Sequence, residues 1–332
     1  MLALVEITGW HWGGFIVCVL FFLALDLGVF HREAHVVKFR EALAWTAVWF
    51  SLAMCFALLL RPLRGEREAL EFVTGYLIEL SLSMDNVFVI ALIFSYFKVP
   101  PQYQHRVLFW GILGALIMRG VMIGAGVALI SALSWILYVF GIFLIYTGIK
   151  MVFVDTEVHP EKNQVLKLAR RFFRVSPELD GQKFLTYYQG KRALTPLALV
   201  LLMVETTDLI FAVDSIPAIF GVTSKPFIVF TSNVFAILGL RSLYFVLAGA
   251  IGYFRYLKVG LALVLVFVGV KMLIAPHGET PNRFQYELPI AVSLLVVVGI
   301  IVASILASVI VARRERKRGK GKDDIAKGDP PN

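Results

Sequence analysis

Two stretches decide the fold: Glu79-Leu-Ser-Leu-Ser-Met-Asp85-Asn86 and Asp208-Leu-Ile-Phe-Ala-Val-Asp214-Ser215. Each lies within a long apolar run. Each reads as an acid, a leucine, three further residues, an apolar residue, an aspartate and a small amide or hydroxyl residue. Two more landmarks follow in the same order. Arg119 matches Arg241, and Gly148-Ile-Lys150-Met151 matches Gly269-Val-Lys271-Met272. Three matched landmarks in one order mark an internal repeat, and each copy has room for three spanning helices. An odd number of spans per copy makes the second copy enter from the opposite side, the inverted-topology pattern of transporters.

Outside the repeat, composition fixes the class. Of 332 residues, 59% are hydrophobic and only 17% charged, too little charge to cover a soluble domain of this length. About 20 mostly apolar residues cross a bilayer core. Nine such spans are expected, near 7–29, 41–60, 71–97, 106–130, 132–153, 194–220, 226–248, 252–274 and 287–312. The fold class is therefore an all-α polytopic membrane protein of about nine transmembrane helices with two inverted three-helix repeats. Residues 1–69 hold two N-terminal helices, 70–153 the first repeat, 154–193 a cytoplasmic loop with apolar helical character around Val165 to Phe173, 194–275 the second repeat, 276–312 a final helix and 313–332 a basic tail. The N-terminal stretch has no basic n-region and no A-x-A cleavage site, so the first helix is expected to be retained.

Orientation follows from Lys and Arg in the loops. One side carries 23 and the other 5, which predicts an outside N-terminus and a cytoplasmic C-terminus. The net charge of +9 does not argue for nucleic acid, because much of the excess lies in Arg313 to Lys327 beside a hydrophobic helix, as expected of a segment facing anionic lipid. Cys18 and Cys55 show no disulfide or zinc pattern. Of the six histidines only His31 and His35 are closely spaced. No Walker A motif occurs, and the paired motifs of intramembrane aspartyl proteases are absent, so no enzyme is expected.

The intramembrane charges carry the functional argument. Glu79, Asp85, Glu205, Asp208 and Asp214 all fall within spans, where a charge at the helix centre costs about 2.5–3.5 kcal/mol. Arg119 and Arg241 are the expected charge-balancing partners. Counted as ionised, the five acids exceed the two arginines, and a divalent cation with a proton would restore neutrality. With Asn86, Ser215 and nearby hydroxyls the donor set is all oxygen, which suits Mg, Ca and Mn rather than copper or zinc. The competing reading is a buried salt-bridge network that joins helices. Glu205 and Asp208 share a helix face. Asp85 and Asp214 each lie six residues beyond the preceding acid, about 240° around a regular helix. These acids converge only if the helix unwinds, as Pro217 could cause in the second copy; otherwise they form successive stations along a path.

Leu-Ser-Met-Asp85-Asn86-Val-Phe and Glu205-Thr-Thr-Asp208-Leu-Ile-Phe-Ala-Val-Asp214-Ser-Ile-Pro217-Ala-Ile resemble the two signatures of the TerC family. Thr231-Ser-Asn233-Val-Phe-Ala-Ile-Leu-Gly-Leu-Arg241 extends the match, which looks most like the Alx branch. The resemblance implies a bacterial inner-membrane exporter of Mn2+, and it carries the family's acidic residues onto Glu79, Asp85, Glu205, Asp208 and Asp214. The expected function is secondary export of a divalent metal, Mn2+ first, with proton coupling or membrane potential as the drive and no permanently bound cofactor. Expected partners are the cation and the lipid bilayer. The alternatives are a Ca2+ or Ca2+/H+ transporter and a membrane scaffold that assists metalation or insertion of other proteins.

Overall fold

The computed structural model describes residues 6–28, 39–133, 135–153, 164–248, 257–276, 286 and 288–326. The His31/His35 pair lies outside these residues, as does the start of the 154–193 loop. The elements run in the order α1 (Gly9–Gly28), α2 (Phe39–Arg64), α3 (Glu66–Tyr96), α4 (Pro101–Ala132), α5 (Ile136–Phe153), α6 (Gln164–Phe172), β1 (Leu185–Tyr188), β2 (Lys191–Leu194), α7 (Pro196–Phe220), α8 (Pro226–Ala248), α9 (Leu257–Ile274) and α10 (Ile290–Ala326). Eight of these helices are long and apolar enough to cross a membrane, and Gly9–Ala24 adds a shorter apolar stretch. The protein is an all-α polytopic membrane protein, as the apolar runs imply.

Proline sets three of the helix starts. α4, α7 and α8 each begin on a proline, where the missing N–H belongs to the first turn and leaves no bond unmade. Thr195 caps α7, accepting from the Ala198 N–H. Inside a helix proline normally breaks the ladder, yet α7 continues through Pro217 to Phe220 and α3 is unbroken from Glu66 to Tyr96. Unwinding does not bring the acids of these two helices together.

The 154–193 segment is more than a loop. Its expected helical part is α6. The β1–β2 hairpin was not expected. It pairs Leu185 with Leu194 and Tyr188 with Lys191, around a turn at Gln189 and Gly190 whose φ values of 52° and 73° are both positive. Thr186 donates to Asp180 at 2.8 Å at the hairpin's base, and that bond holds the exposed Asp180 carboxyl below its ordinary pKa.

α8 is the central helix: 94% of its apolar window is buried, against 11% for α10. α3 packs on α8 and α4 packs on α7. These two contacts exchange when α3, α4 and α5 are matched to α7, α8 and α9. The closest packing joins α5 and α9, and it shows the same exchange. A Cβ on Gly148 would lie 2.8 Å from the Ala262 carbonyl oxygen and 3.2 Å from the Val266 nitrogen; one on Gly269 would lie 2.6 Å from the Gly141 carbonyl oxygen and 3.1 Å from the Ile145 nitrogen. As one helix ascends from Gly141 to Gly148 the other descends from Gly269 to Ala262, so α5 and α9 are antiparallel. Small residues let their backbones meet, which is how helices gain packing energy where lipid removes the hydrophobic drive.

Gly269→Ala forces a methyl against backbone rather than against a movable side chain. The expected loss is about 1–3 kcal/mol, read as a lower apparent Tm of the purified protein in neutral detergent. Gly13→Ala, with nothing within 4 Å of its Cβ, leaves Tm unchanged or slightly raised. An unaltered Tm for Gly269→Ala would show that the seam opens freely.

Candidate functional site

Arg119 organises the site from α4. Its side chain is 2% exposed, so every donor needs a partner inside the protein. Nη2 donates to Asp208 Oδ1 at 2.9 Å and Nε to Asp208 Oδ2 at 3.2 Å, a two-pronged pair. Nη1 donates to Glu79, which is fully buried on α3, and to Ser215 Oγ at 3.3 Å. Asn86 of α3 also reaches Asp208, donating from Nδ2 at 3.2 Å. One guanidinium thus joins α3, α4 and α7.

A cavity of about 670 Å³ lies on one side of this cluster. Glu79, Asp85, Asn86, Asp214 and Ser215 line it, with Arg119, Thr147, Lys150 and Lys258. Thr147 donates to Asp214 Oδ1 at 3.2 Å. Two buried oxygens, Glu79 Oε2 and Asn86 Oδ1, have no hydrogen-bond partner among the described residues. Such atoms are normally paired, and both residues face the cavity. A far smaller chamber, about 20 Å³, lies on the other side, walled by Asn86, Thr207, Asp208 and Arg241 among apolar groups. It has room for about one water. Asn86 borders both spaces, so the Asn86–Asp208–Arg119 link is a partition between them.

The cavity extends along α3 as far as Leu92 and reaches Lys150 near the end of α5 and Lys258 at the start of α9. The opposite end of the bundle holds a second open cavity of about 670 Å³, lined by Glu71, Thr223, Lys225 and Lys271 among others, and ionic ties cross it. Lys225, just ahead of α8, meets Glu68 at 3.1 Å and Glu71 at 3.3 Å on α3. Thr223 donates to Glu71 at 2.8 Å, and Arg64 and Arg67 pair with the same two acids. Both carboxylates are buried, so these pairs are better shielded from water and salt than surface ones.

The expected residues therefore divide. Glu79, Asp85, Asn86, Asp214 and Ser215 share the cavity. Asp208 belongs to the partition. Glu205 stands apart, half-buried, with its carboxylate in the space that a side chain at Gly114 would occupy; it does not line the cavity. Arg241 faces the small chamber and bonds His105 Nε2 at 3.0 Å. Among the described residues no three His, Cys, Asp or Glu side chains converge as a preformed metal cage. Sequence reasoning missed the roles of His105, Thr147, Lys150 and Lys258. Thr147 and Lys150 are three residues apart on one helix face, a spacing that could have flagged them. With Lys150 and Lys258 present, three acids and three bases line the cavity, so the expected excess of negative charge is not found there.

The sequence matches the integral membrane protein TerC family over residues 64–316. The chain belongs to the TerC family. It is 54% identical over 303 residues to the uncharacterized membrane protein STKORF319 of Myxococcus xanthus, covering 91% of this chain and 92% of that one. It is 46% identical over 319 residues to the Escherichia coli (strain K12) protein named "Putative membrane-bound redox modulator Alx", covering 93% and 97%. It is 40% identical over 300 residues to an uncharacterized membrane protein of Rickettsia bellii (strain RML369-C), covering 90% and 97%. No solved structure matches the chain. This TerC protein is thus a multi-pass integral membrane protein with bacterial relatives.

Arg119→Gln leaves the Glu79 and Asp208 carboxylates buried without their cation. Breaking a buried pair in this way costs about 3–5 kcal/mol. Arg119→Gln is expected to lower Tm in detergent sharply, and adding Glu79→Gln with Asp208→Asn restores most of it. A triple variant no more stable than Arg119→Gln would show that Arg119 acts through packing rather than charge.

Proposed function

We propose that this TerC protein is a secondary transporter in the bacterial inner membrane that exports a divalent cation, Mn2+ before Ca2+, and takes it up through the cavity at Asp85 and Asp214. The observation that carries this reading is the convergence of Glu79, Asp85, Asn86, Asp214 and Ser215 on one cavity, with Glu79 Oε2 and Asn86 Oδ1 buried and unpartnered among the described residues. An all-oxygen donor set suits a hard cation. Magnesium gives up water reluctantly, so direct ligation by the carboxylates favours Mn2+ and Ca2+ over it.

Access from both ends is supported by the two cavities, one reaching Asp85 and Asp214 and one lined by Glu71, Thr223 and Lys225, with ion pairs of Lys225 to Glu68 and Glu71 crossing the second. The antiparallel run of α5 against α9, with its exchanged contacts, supports an inverted repeat. The bias of Lys and Arg supports a cytoplasmic α6 end, an outside N-terminus and a cytoplasmic C-terminus. On this orientation the cavity takes its ion from the cytoplasm. Lys150 and Lys258 share the cavity with Asp85 and Asp214, so in this reading the ammonium groups move away, or the acids lose protons, before the ion is neutralised there. That exchange gives a physical basis for coupling to protons or to membrane potential.

The two lysines also favour a second reading, in which a zwitterionic solute lies between carboxylates and ammonium groups. The relatives' name "redox modulator" draws less support here, because Cys18 and Cys55 are free, exposed and outside the cavity. A scaffold role in metalation requires no flux at all.

Purified protein in liposomes decides among these readings. Mn2+ flux is expected in the wild type and falls to background in Asp85→Asn and Asp214→Asn, while Lys150→Met and Lys258→Met keep it or lower the half-saturating Mn2+ concentration. Ca2+ should compete more strongly than Mg2+. Uptake of a zwitterionic amino acid that is lost in both the lysine and the aspartate variants would favour the zwitterion, and absence of Mn2+ flux in the wild type would overturn the cation reading.

A further inference from the structure

We infer that α6 and the adjoining end of α3 form a binding site for the headgroup of an anionic phospholipid. Lys98, Arg170, Arg171 and Arg174 line one open cleft of about 1330 Å³ with Glu178 as its acid. Among the described residues no ion pair engages any of the four cations.

The place of the cleft decides the ligand. Its walls include Tyr96 and Phe97 at the end of spanning helix α3, and Pro196 and Leu199 at the start of spanning helix α7. These helix ends mark the level where a bilayer's apolar core gives way to headgroups. α6 is built for that level. Leu166 and Ala169 are buried in the protein core, and α6 packs on α7. At about 100° per residue, Lys167, Arg170 and Arg171 take one flank of the remaining surface. Leu168 and Phe172 take the other, 55% and 71% exposed, and Phe173 follows at 60%. A helix with one flank basic and one apolar lies in the membrane interface, where buried apolar area and attraction to anionic lipid act together. A free phosphate would use the arginines and leave the apolar flank without a role.

Lys98 strengthens the assignment. α3 ends with the Val99 N–H bonded to the Phe94 carbonyl and the Lys98 N–H to that of Ser95. Lys98 holds the left-handed position, φ 49°, where glycine is the usual residue. The backbone here would favour glycine, yet the chain places an ammonium group in the cleft.

Native mass spectrometry of the full-length protein, released from detergent with added dioleoylphosphatidylglycerol or dioleoylphosphatidylcholine, tests the site. The wild type should retain phosphatidylglycerol about tenfold better than phosphatidylcholine. Arg170→Gln/Arg171→Gln/Arg174→Gln should lose most of that preference at unchanged Tm in neutral detergent, and Phe172→Ser should lower retention of phosphatidylglycerol while leaving every cation in place. Should the triple variant not fold, Lys98→Gln and Arg174→Gln made separately carry the test, each expected to weaken retention about two- to fivefold. Wild-type retention in all variants would overturn the proposal. So would displacement of the lipid by millimolar inorganic phosphate, which would assign the cations to a free anion.

Discussion

The arrangement depends on Arg119. Water cannot reach it, so its positive charge must be met within the bundle, and the residues that meet it come from two other helices. Glu79 fixes α3, while Asp208 and Ser215 fix α7. Separately, each of these charges would be costly in a membrane interior. Together they form a fork in which two-pronged pairing with Asp208 sets the guanidinium plane. The same bonds that join α3, α4 and α7 also form the partition between the large cavity and the small chamber. The salt-bridge reading and the cation-site reading are therefore not rivals at every residue. Asp208 is structural, Asp85 and Asp214 face open space, and Glu79 does both, with one oxygen on Arg119 and the other unpartnered.

The seam between α5 and α9 supplies a rigid complement. Interlocked backbone at Gly141, Gly148 and Gly269 leaves little freedom for those helices to part. In the proposed transport, the motion that carries an ion across leaves that seam intact and acts elsewhere. The candidates are the ionic ties at one end, between α3 and the turn ahead of α8, and the ion-lined walls of the cavity at the other.

Much of this was legible in the sequence because membrane physics leaves few options. Apolar length gave the spans, and an acid inside a span needs a reason, which singled out Glu79, Asp85, Glu205, Asp208 and Asp214, of which Glu205 does not reach the cavity. What stayed hidden was which face of each helix met which neighbour. Glu205 and Asp208 share a face by spacing, yet Asp208 meets Arg119 while Glu205 rests on Gly114, because a side-chain-free position on α4 gives it space away from the cavity. Arg241 aligns with Arg119 by sequence pattern but bonds His105 and faces the small chamber, so alike sequence positions do not have alike surroundings. The hairpin's Gln-Gly turn was a weaker signal than Asn-Gly, and it fell in a segment read for its charge.

Lys150 and Lys258 mark the limit of counting charges along a sequence. Taken over the spans alone, the acids outnumber the arginines, and a divalent ion looks necessary to balance them. By sequence Lys258 counts with an aqueous loop and Lys150 serves only as a repeat landmark, although a four-carbon stem lets an ammonium reach well into a span. Once they are placed in the cavity, the resting protein is balanced there without a bound ion. A transporter benefits from that balance. A site already electroneutral when empty can change conformation without carrying a bare charge through the bilayer, and the arriving cation exchanges with charges the protein already holds. On the proposed transport of Mn2+, selectivity depends on the difference between what the ion gains from Asp85 and Asp214 and what is lost as the nearby ammonium groups move away, rather than on the raw attraction of acids for metal.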